Sequence, residues 1–386
     1  MTSSSGKPRV KLPRILTFDL LRGWFLVIII LDHLSYFPNG FSFITGDSRL
    51  FVTAAEGFFL VSGIVLGIVR GYKLIDAPFW SVTKKLWFRA FTLYVTSIVI
   101  TLLSLFISWQ FIGNDGVKSP IPPSSTPFGE LLWNIITLRE FYGWADYLRF
   151  YAIFLFISPL WMWLLRRGWW YIGIAVSFAI WAVAPRPVTE LLQPLTWQLL
   201  FFIALTIGFY LPKIRDWKNE LPKPTWKLIN RSLMALFAVT LTLNVYAEFI
   251  SPAFGDPISS AITAAHHAVT PTFFKNNLSL ERLSLAFLWF YGFYMIVRRY
   301  EKQITRYLGW LLLPFGVNSL YVYSVHAFVI VTLHLFVNPQ YGAPHVYLTS
   351  WDRIPEIPRN MALSVLAVGV VYLMVKTKFL MKVIPR

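Results

Sequence analysis

Along this chain apolar residues gather into ten long blocks separated by short polar segments. The blocks cover approximately residues 17–37, 51–70, 90–112, 147–165, 169–184, 197–212, 232–250, 283–298, 309–336 and 360–376. A helix satisfies its own backbone groups inside lipid and needs about 20 apolar residues to cross it, so each block predicts one spanning helix. The fifth and sixth blocks are short, and the ninth is long enough to tilt or to break at Pro314 or Gly316. The pattern reads as an all-α, polytopic integral membrane bundle of about ten transmembrane helices, forming one domain over 1–386. Within it, 1–16 reads as a short cytosolic N-terminal segment. The larger loops, 113–146 and 251–282, are rich in Pro and Ser, with Trp and Tyr near their edges.

The polar segments fix an orientation. With the N-terminus in the cytosol, 26 of the 35 Lys and Arg fall on the cytosolic side. They begin with Lys7, Arg9, Lys11, Arg14 and Arg22 and end with Lys376, Lys378, Lys382 and Arg386. Every inward segment is basic, so the positive-inside rule puts both termini in the cytosol and the two larger loops outside. The leading segment imitates a signal peptide. Its apolar run is long, however, carries Asp32 and His33 and lacks a small-x-small cleavage site, which predicts a retained first helix.

Composition sharpens this reading. The chain is 56% hydrophobic and only 14% charged, against about 25% charged in soluble domains, which excludes a disordered tail and a water-soluble enzyme. The net charge of +17 would suggest nucleic acid in a soluble chain. Here the basic residues lie between spans, where orientation accounts for them, and no nucleic-acid partner is expected. The absence of Cys removes disulfides, thiolate metal sites and a thiol nucleophile. No internal repeat is evident, which weakens an inverted-repeat transporter.

Candidate chemistry comes from ionisable residues at membrane depth, where each costs about 2.5–3.5 kcal/mol on insertion scales. The first span carries Asp19, Arg22, Asp32 and His33. Asp19 and Arg22 share a face and can pair, and Asp19 reads equally well as a snorkelling anchor. Arg22 and His33 are eleven positions apart, which returns them to within about 20° of one face and separates them by ~16 Å. Glu56, ~7 Å below the outer edge of the second span, matches His33 at ~6 Å below it. A carboxylate beside an imidazole orients it and raises its basicity, and Glu56 and Asp32 compete for that role. After Glu56 come Gly57, Phe58, Phe59, Ser62 and Gly63. The four-residue spacing of Gly63, Gly67 and Gly71 predicts close helix packing.

On the ninth span, Asn318, Ser319, Tyr323 and His326 add polar groups. Asn318 and His326 share a face, and His326 falls in the outer half. Gln198, at the outer start of the sixth span, is a further candidate for the same cavity. A hydrogen-bond network that merely ties helices together is the structural alternative. His266 and His267 lack metal-ligand spacing and no metal site is expected. No Gly-x-x-x-x-Gly-Lys, Gly-x-Ser-x-Gly or His-Glu-x-x-His occurs. Arg70, Lys84, Lys85 and Arg89 cluster at the cytosolic ends of spans two and three, where they set orientation or bind anionic phosphates. Trp109, Trp133, Trp144 and Tyr151 read first as interfacial anchors, and second as stacking surfaces for sugars.

These residues carry a resemblance. Phe18-Asp-Leu-Leu-Arg-Gly23 followed by Asp32-His33 has the Arg-x10-His spacing of the transmembrane acyltransferase (acyltransferase type 3-like) superfamily. The stretch from Phe51 through Glu56-Gly-Phe-Phe-Leu-Val-Ser-Gly63 to Gly71 resembles the second-helix signature of its OpgC branch. The likeness continues in Arg89 to Tyr94, Leu148 to Pro159, Trp197 to Gly208, and Asn318-Ser-Leu-Tyr-Val-Tyr-Ser-Val-His326. It implies a ten- to twelve-helix enzyme of the bacterial cytoplasmic (inner) membrane. Such an enzyme takes an acyl group, succinyl or acetyl, from cytosolic acyl-CoA and esterifies an envelope glycan or glycolipid outside. Arg22 and His33 would be its essential pair. On that reading Arg22, with Arg89, holds the CoA phosphates, and His33, oriented by Asp32 or Glu56, is the general base. Asn318 or His326 donates to the oxyanion, Gln198 and Ser62 contact substrate, and an acyl-enzyme at His33 or Ser62 is the variant route. The partners are acyl-CoA, the acceptor and membrane lipids; the oligomeric state is not encoded. The competing reading is a proton-coupled transporter or lipid-carrier flippase whose buried acids relay protons. A scaffold would leave the buried charge unexplained.

Overall fold

The computed structural model describes residues 14–114, 116, 122–340, 351–381 and 384. Lys7, Arg9, Lys11, Lys382 and Arg386 lie outside these residues. Among the described residues 79% are helical and no strand occurs. The helices are α1 (Leu16–Leu34), α2 (Ser42–Thr45), α3 (Ala54–Leu66), α4 (Phe79–Gln110) and α5 (Phe128–Ile136). Next come α6 (Asp146–Arg166), α7 (Trp170–Val183), α8 (Gln193–Phe209), α9 (Leu211–Glu220) and α10 (Lys223–Val245). The last five are α11 (Pro257–Val269), α12 (Leu280–Arg299), α13 (Glu301–Val317), α14 (Ser319–Phe336) and α15 (Ile357–Lys376).

Every predicted block falls on a helix. Among the described residues, seven helical runs are able by length and composition to cross a membrane, and an eighth is added if α8 and α9, bent by 64°, count as one. The first and fifth blocks stand apart from those seven for visible reasons. α1 carries Asp19, Arg22 and Asp32, and α7 is only 14 residues long. The outer surface of the bundle is itself apolar, with Phe88, Phe91, Phe106, Phe156, Leu160 and Val183 all exposed. An exposed apolar surface of this kind marks a contact face, and together with the long apolar helices it makes the protein a polytopic membrane protein.

Two block boundaries are corrected. The third helix begins at Phe79, eleven residues before its apolar block, because Lys84, Lys85 and Arg89 are good helix formers that extend α4. The ninth block does break, after Val317. Asn318 leaves helical geometry and its side-chain amide donates to the carbonyl of Pro314 at 2.9 Å, so α13 and α14 are separate helices. Glu301, Leu312 and Gly316 of α13 all meet the first two turns of α1, at Thr17, Gly23 and Asp19. α14 then runs beside the rest of α1.

The glycine ridge on the second span does pack closely. A Cβ on Gly67 would collide with the carbonyl of Leu205, and one on Gly208 with that of Ile64, so α3 and α8 touch backbone to backbone. That contact, with α1 and α14 alongside, forms the buried centre. α10, α12 and α15 lie at the periphery, with much of their span uncovered.

Candidate functional site

The C-terminal end of α1 is where polar groups converge. Ser35 caps the helix in the left-handed region (φ 50) and returns its amide to the carbonyl of Asp32. The Nδ1 of His33 lies 3.1 Å from Nε2 of His326 on α14, and the two rings stack with centroids 5.3 Å apart. Nδ1 of His326 in turn bonds the carbonyl oxygen of Tyr323. A carbonyl only accepts, so His326 holds its proton on Nδ1 and offers Nε2 as an acceptor. His33 therefore donates from Nδ1. In its neutral form it is left with a bare lone pair on Nε2, which is the nitrogen a base needs. Trp144 packs on the His33 ring at 4.7 Å.

His33 lines a small cavity together with Asp32, Ser48, Thr53, Tyr147 and Lys275. Its free space is about that of one water molecule. Each acid nearby accepts at least one hydrogen bond, although Oδ1 of Asp32 is buried without a partner. Asp32 Oδ2 accepts from the Ser48 hydroxyl at 2.9 Å, and Asp146 accepts from the Tyr323 hydroxyl at 3.1 Å. Glu56 is fully buried. Its Oε1 takes Nε of Arg282 at 2.6 Å and also contacts Nη2 of that guanidinium. Its Oε2 takes the amide and hydroxyl of Thr53 at 3.0 and 2.6 Å.

Toward the other end of α1, Nη1 of Arg22 approaches the Gly316 carbonyl at 3.4 Å, while its buried Nε has no hydrogen-bond partner. Arg70 and Arg22 both act electrostatically on Arg89, so three guanidinium groups from α1, α4 and the π-helical end of the second span share one region. Tyr151 lies between the two ends. Its hydroxyl donates to the Phe58 carbonyl at 3.4 Å and interacts with Ser62, Arg22 and Arg89.

A family model described as OpgC protein matches residues 14–383. The chain belongs to the OpgC family. No curated protein and no solved structure matches it. Membership points to a membrane transferase that modifies osmoregulated periplasmic glucans.

In this OpgC-family chain the residues singled out by sequence separate into three groups. His33 and His326 meet directly, with Asp32 on the same cavity. Arg22, Arg89 and Ser62 each interact with Tyr151. Glu56, Asn318 and Gln198 go elsewhere. Glu56 neutralises Arg282, and neither it nor Asp32 hydrogen-bonds His33, whose orienting partner is His326. Asn318 is spent on the helix break, about two turns of α14 away from His326. Gln198 accepts from the Ser177 hydroxyl at 2.5 Å and donates to its carbonyl at 2.7 Å, tying α8 to α7. Asp19 pairs with Arg14 at 2.6 Å and makes no contact ion pair with Arg22.

Sequence reasoning missed Lys275, Arg282, Asp146 and Tyr147, and it read Trp144 and Tyr151 as interfacial anchors. Tyr151 is buried and Trp144 covers His33. One signal was available for Lys275 and Arg282: both are basic residues near the outer ends of the predicted spans, against the charge bias that places most Lys and Arg inside.

Proposed function

We propose that this protein is an O-acyltransferase that moves a short acyl group, succinyl or acetyl, from cytosolic acyl-CoA to a hydroxyl of a periplasmic glycan. The carrying observation is the relay from the Tyr323 carbonyl through His326 to His33, which fixes the tautomer of a base. It stands ~16 Å along α1 from Arg22. In this reading all ten helical blocks span the inner membrane, both termini are cytosolic, and the family sits within the type 3-like transmembrane acyltransferases. Arg22, with Arg70 and Arg89, holds the CoA phosphates at the cytosolic mouth. The pantetheine arm passes Tyr151 and Ser62 and presents the thioester beside His33.

The acceptor oxygen attacks the thioester carbonyl carbon, forming a C–O bond while its proton passes to Nε2 of His33. The carbonyl π pair moves onto oxygen. Collapse of that intermediate breaks the C–S bond, and the leaving CoA sulfur takes the proton back from the imidazolium. The net products are an ester and free CoA thiol, and no metal takes part. A proton relay through the buried acids has less support, because Asp32, Glu56 and Asp146 each accept a hydrogen bond from a separate partner.

Release of free thiol from a panel of acyl-CoAs by the purified protein tests this reading. The chain has no Cys, so a thiol reagent reports only liberated CoA. Arg22→Ala is expected to raise the Kd for acetyl-CoA and succinyl-CoA about 10- to 100-fold, the loss expected for charge-assisted hydrogen bonds to phosphate. Titration calorimetry measures it. Unchanged affinity would remove Arg22 from the donor site, and a wild-type protein that neither binds nor cleaves acyl-CoA would favour the transporter.

A further inference from the structure

Neither residue that the sequence offered for the oxyanion can serve it. Nε2 of His326 is the acceptor of the His33 bond and has no proton to give. The Asn318 amide gives an N–H to Pro314 at the helix break and lies about two turns of α14 away from His326. An alkoxide developing in a confined, buried site needs a donor, and such donors carry much of the rate in acyl transfer.

Among the described residues lining the His33 cavity, Lys275 is the one Lys or Arg. It comes from the segment before α12 and lies half-buried, with its ammonium 5.7 Å from the centre of the Tyr147 ring. It acts electrostatically on His33, Asp32, Glu56 and Asp146. No hydrogen bond or contact ion pair engages the ammonium among the described residues: Glu56 and Asp146 are held from other sides, and Asp32 is held through Oδ2 alone, its buried Oδ1 having no partner. Three N–H donors are therefore uncommitted.

The backbone around Lys275, by contrast, is firmly tied. Trp197 Nε1 donates to the Lys275 carbonyl at 3.2 Å, and Thr196 donates to the Asn276 carbonyl at 2.6 Å. Asn277 accepts from the Val188 amide at 2.8 Å, and Trp181 donates to the Leu278 carbonyl at 2.9 Å. Arg282 reaches back to the Phe273 carbonyl at 2.6 Å. The fold thus holds the main chain on both sides of this residue and leaves its side chain free of structural duty.

We propose that Lys275 is a catalytic residue of the transfer, donating from its ammonium to the thioester oxygen as that oxygen becomes an alkoxide. The proposal rests on the acyl-transfer reading. Attack by the acceptor hydroxyl puts the carbonyl electron pair on this oxygen. Lys275 stabilises it without giving up its proton, and the pair returns to re-form the carbonyl as CoA sulfur leaves.

The missing Cys makes a direct test available. In Lys275→Cys the new thiol is the sole one in the chain, and alkylation with 2-bromoethylamine rebuilds an ammonium at nearly the length of lysine. Consumption of acetyl-CoA and succinyl-CoA, with a glucan oligosaccharide as acceptor, is followed by chromatography. The unmodified variant is expected to lose about 10²- to 10³-fold in kcat, with acyl-CoA Kd and melting temperature unchanged, and aminoethylation should restore most of it. Wild-type kcat in the unmodified variant would overturn the role of Lys275 while leaving His33 as base. A parallel fall in melting temperature, or no recovery after full alkylation, would assign the side chain to packing and also overturn it. Failure of the wild-type protein to bind or consume acyl-CoA would overturn the acyl-transfer reading and the proposal together.

Discussion

His33→Ala should reduce acyl transfer by up to about 10⁴-fold, the upper part of the range for loss of a general base, while acyl-CoA still binds. The affinity is kept because the proposed phosphate contacts lie ~16 Å away along α1. The rate is lost because no other unprotonated nitrogen lines the cavity among the described residues. His326→Phe supplies the internal control. It removes the acceptor that holds the proton of His33 on Nδ1, so the imidazole is free to adopt the other tautomer and turn. Its kcat should fall by less than that of His33→Ala, and the double variant should be no worse than His33→Ala alone, because the two rings act as one unit. Single-turnover release of CoA, with Kd from titration, separates the two quantities. Near-normal turnover in His33→Ala would eliminate the proposed base, and additive losses in the double variant would mean that His326 acts independently.

What could be read in advance of the structure follows from how local each feature is. Arg22 and His33 lie on one uninterrupted helix, so a spacing of eleven fixes their face and separation before any packing is known. The Gly63–Gly67–Gly71 ridge is likewise a property of one helix, and it meets α8 as expected. His326 shares a face with Asn318 by the same rule, but its depth, counted from the cytosolic end of the ninth block, runs across the break after Val317. Partners across the bundle are another matter. Arg282 is 226 positions from Glu56, and nothing in either local pattern says that they meet. With Arg282 unseen, matching depth along a helical hairpin made His33 the nearest candidate for the carboxylate. Asn318 stands apart for a different reason: its amide caps the break between α13 and α14, after Val317, and no periodic pattern shows that the side chain is used there. Lys275 lies on no periodic element at all, and its position depends on bonds from Trp197, Thr196 and Arg282, which only the tertiary structure supplies.

Glu56→Gln separates the structural use of that carboxylate from a catalytic one. The substitution keeps an oxygen for the Thr53 amide at the start of α3, as Gln does in a capping box. It replaces the oxygen that faces Arg282 with an NH2 donor, removing both the charge and the acceptor there. Both side chains are almost completely buried, so the guanidinium is left uncompensated, and the expected loss of stability is about 3–5 kcal/mol. Adding Arg282→Met removes the stranded cation, and the double variant should recover most of that loss, because an apolar residue of similar volume replaces a buried ion pair at little cost. Thermal unfolding in detergent reads both changes. If Glu56→Gln were as stable as wild type, the carboxylate would not be the counter-charge of Arg282. Acyl transfer by the double variant then decides the role. A purely structural Glu56 predicts that the recovered protein keeps a kcat within a few-fold of wild type, with any residual loss tracing to the Phe273 carbonyl that Arg282 also holds. A role in orienting His33 predicts a recovered fold with a collapsed kcat, since the imidazole would have lost its carboxylate. The relay through His326 favours the first outcome, because both nitrogens of His33 are accounted for without Glu56: Nδ1 donates to His326, and Nε2 is left for substrate.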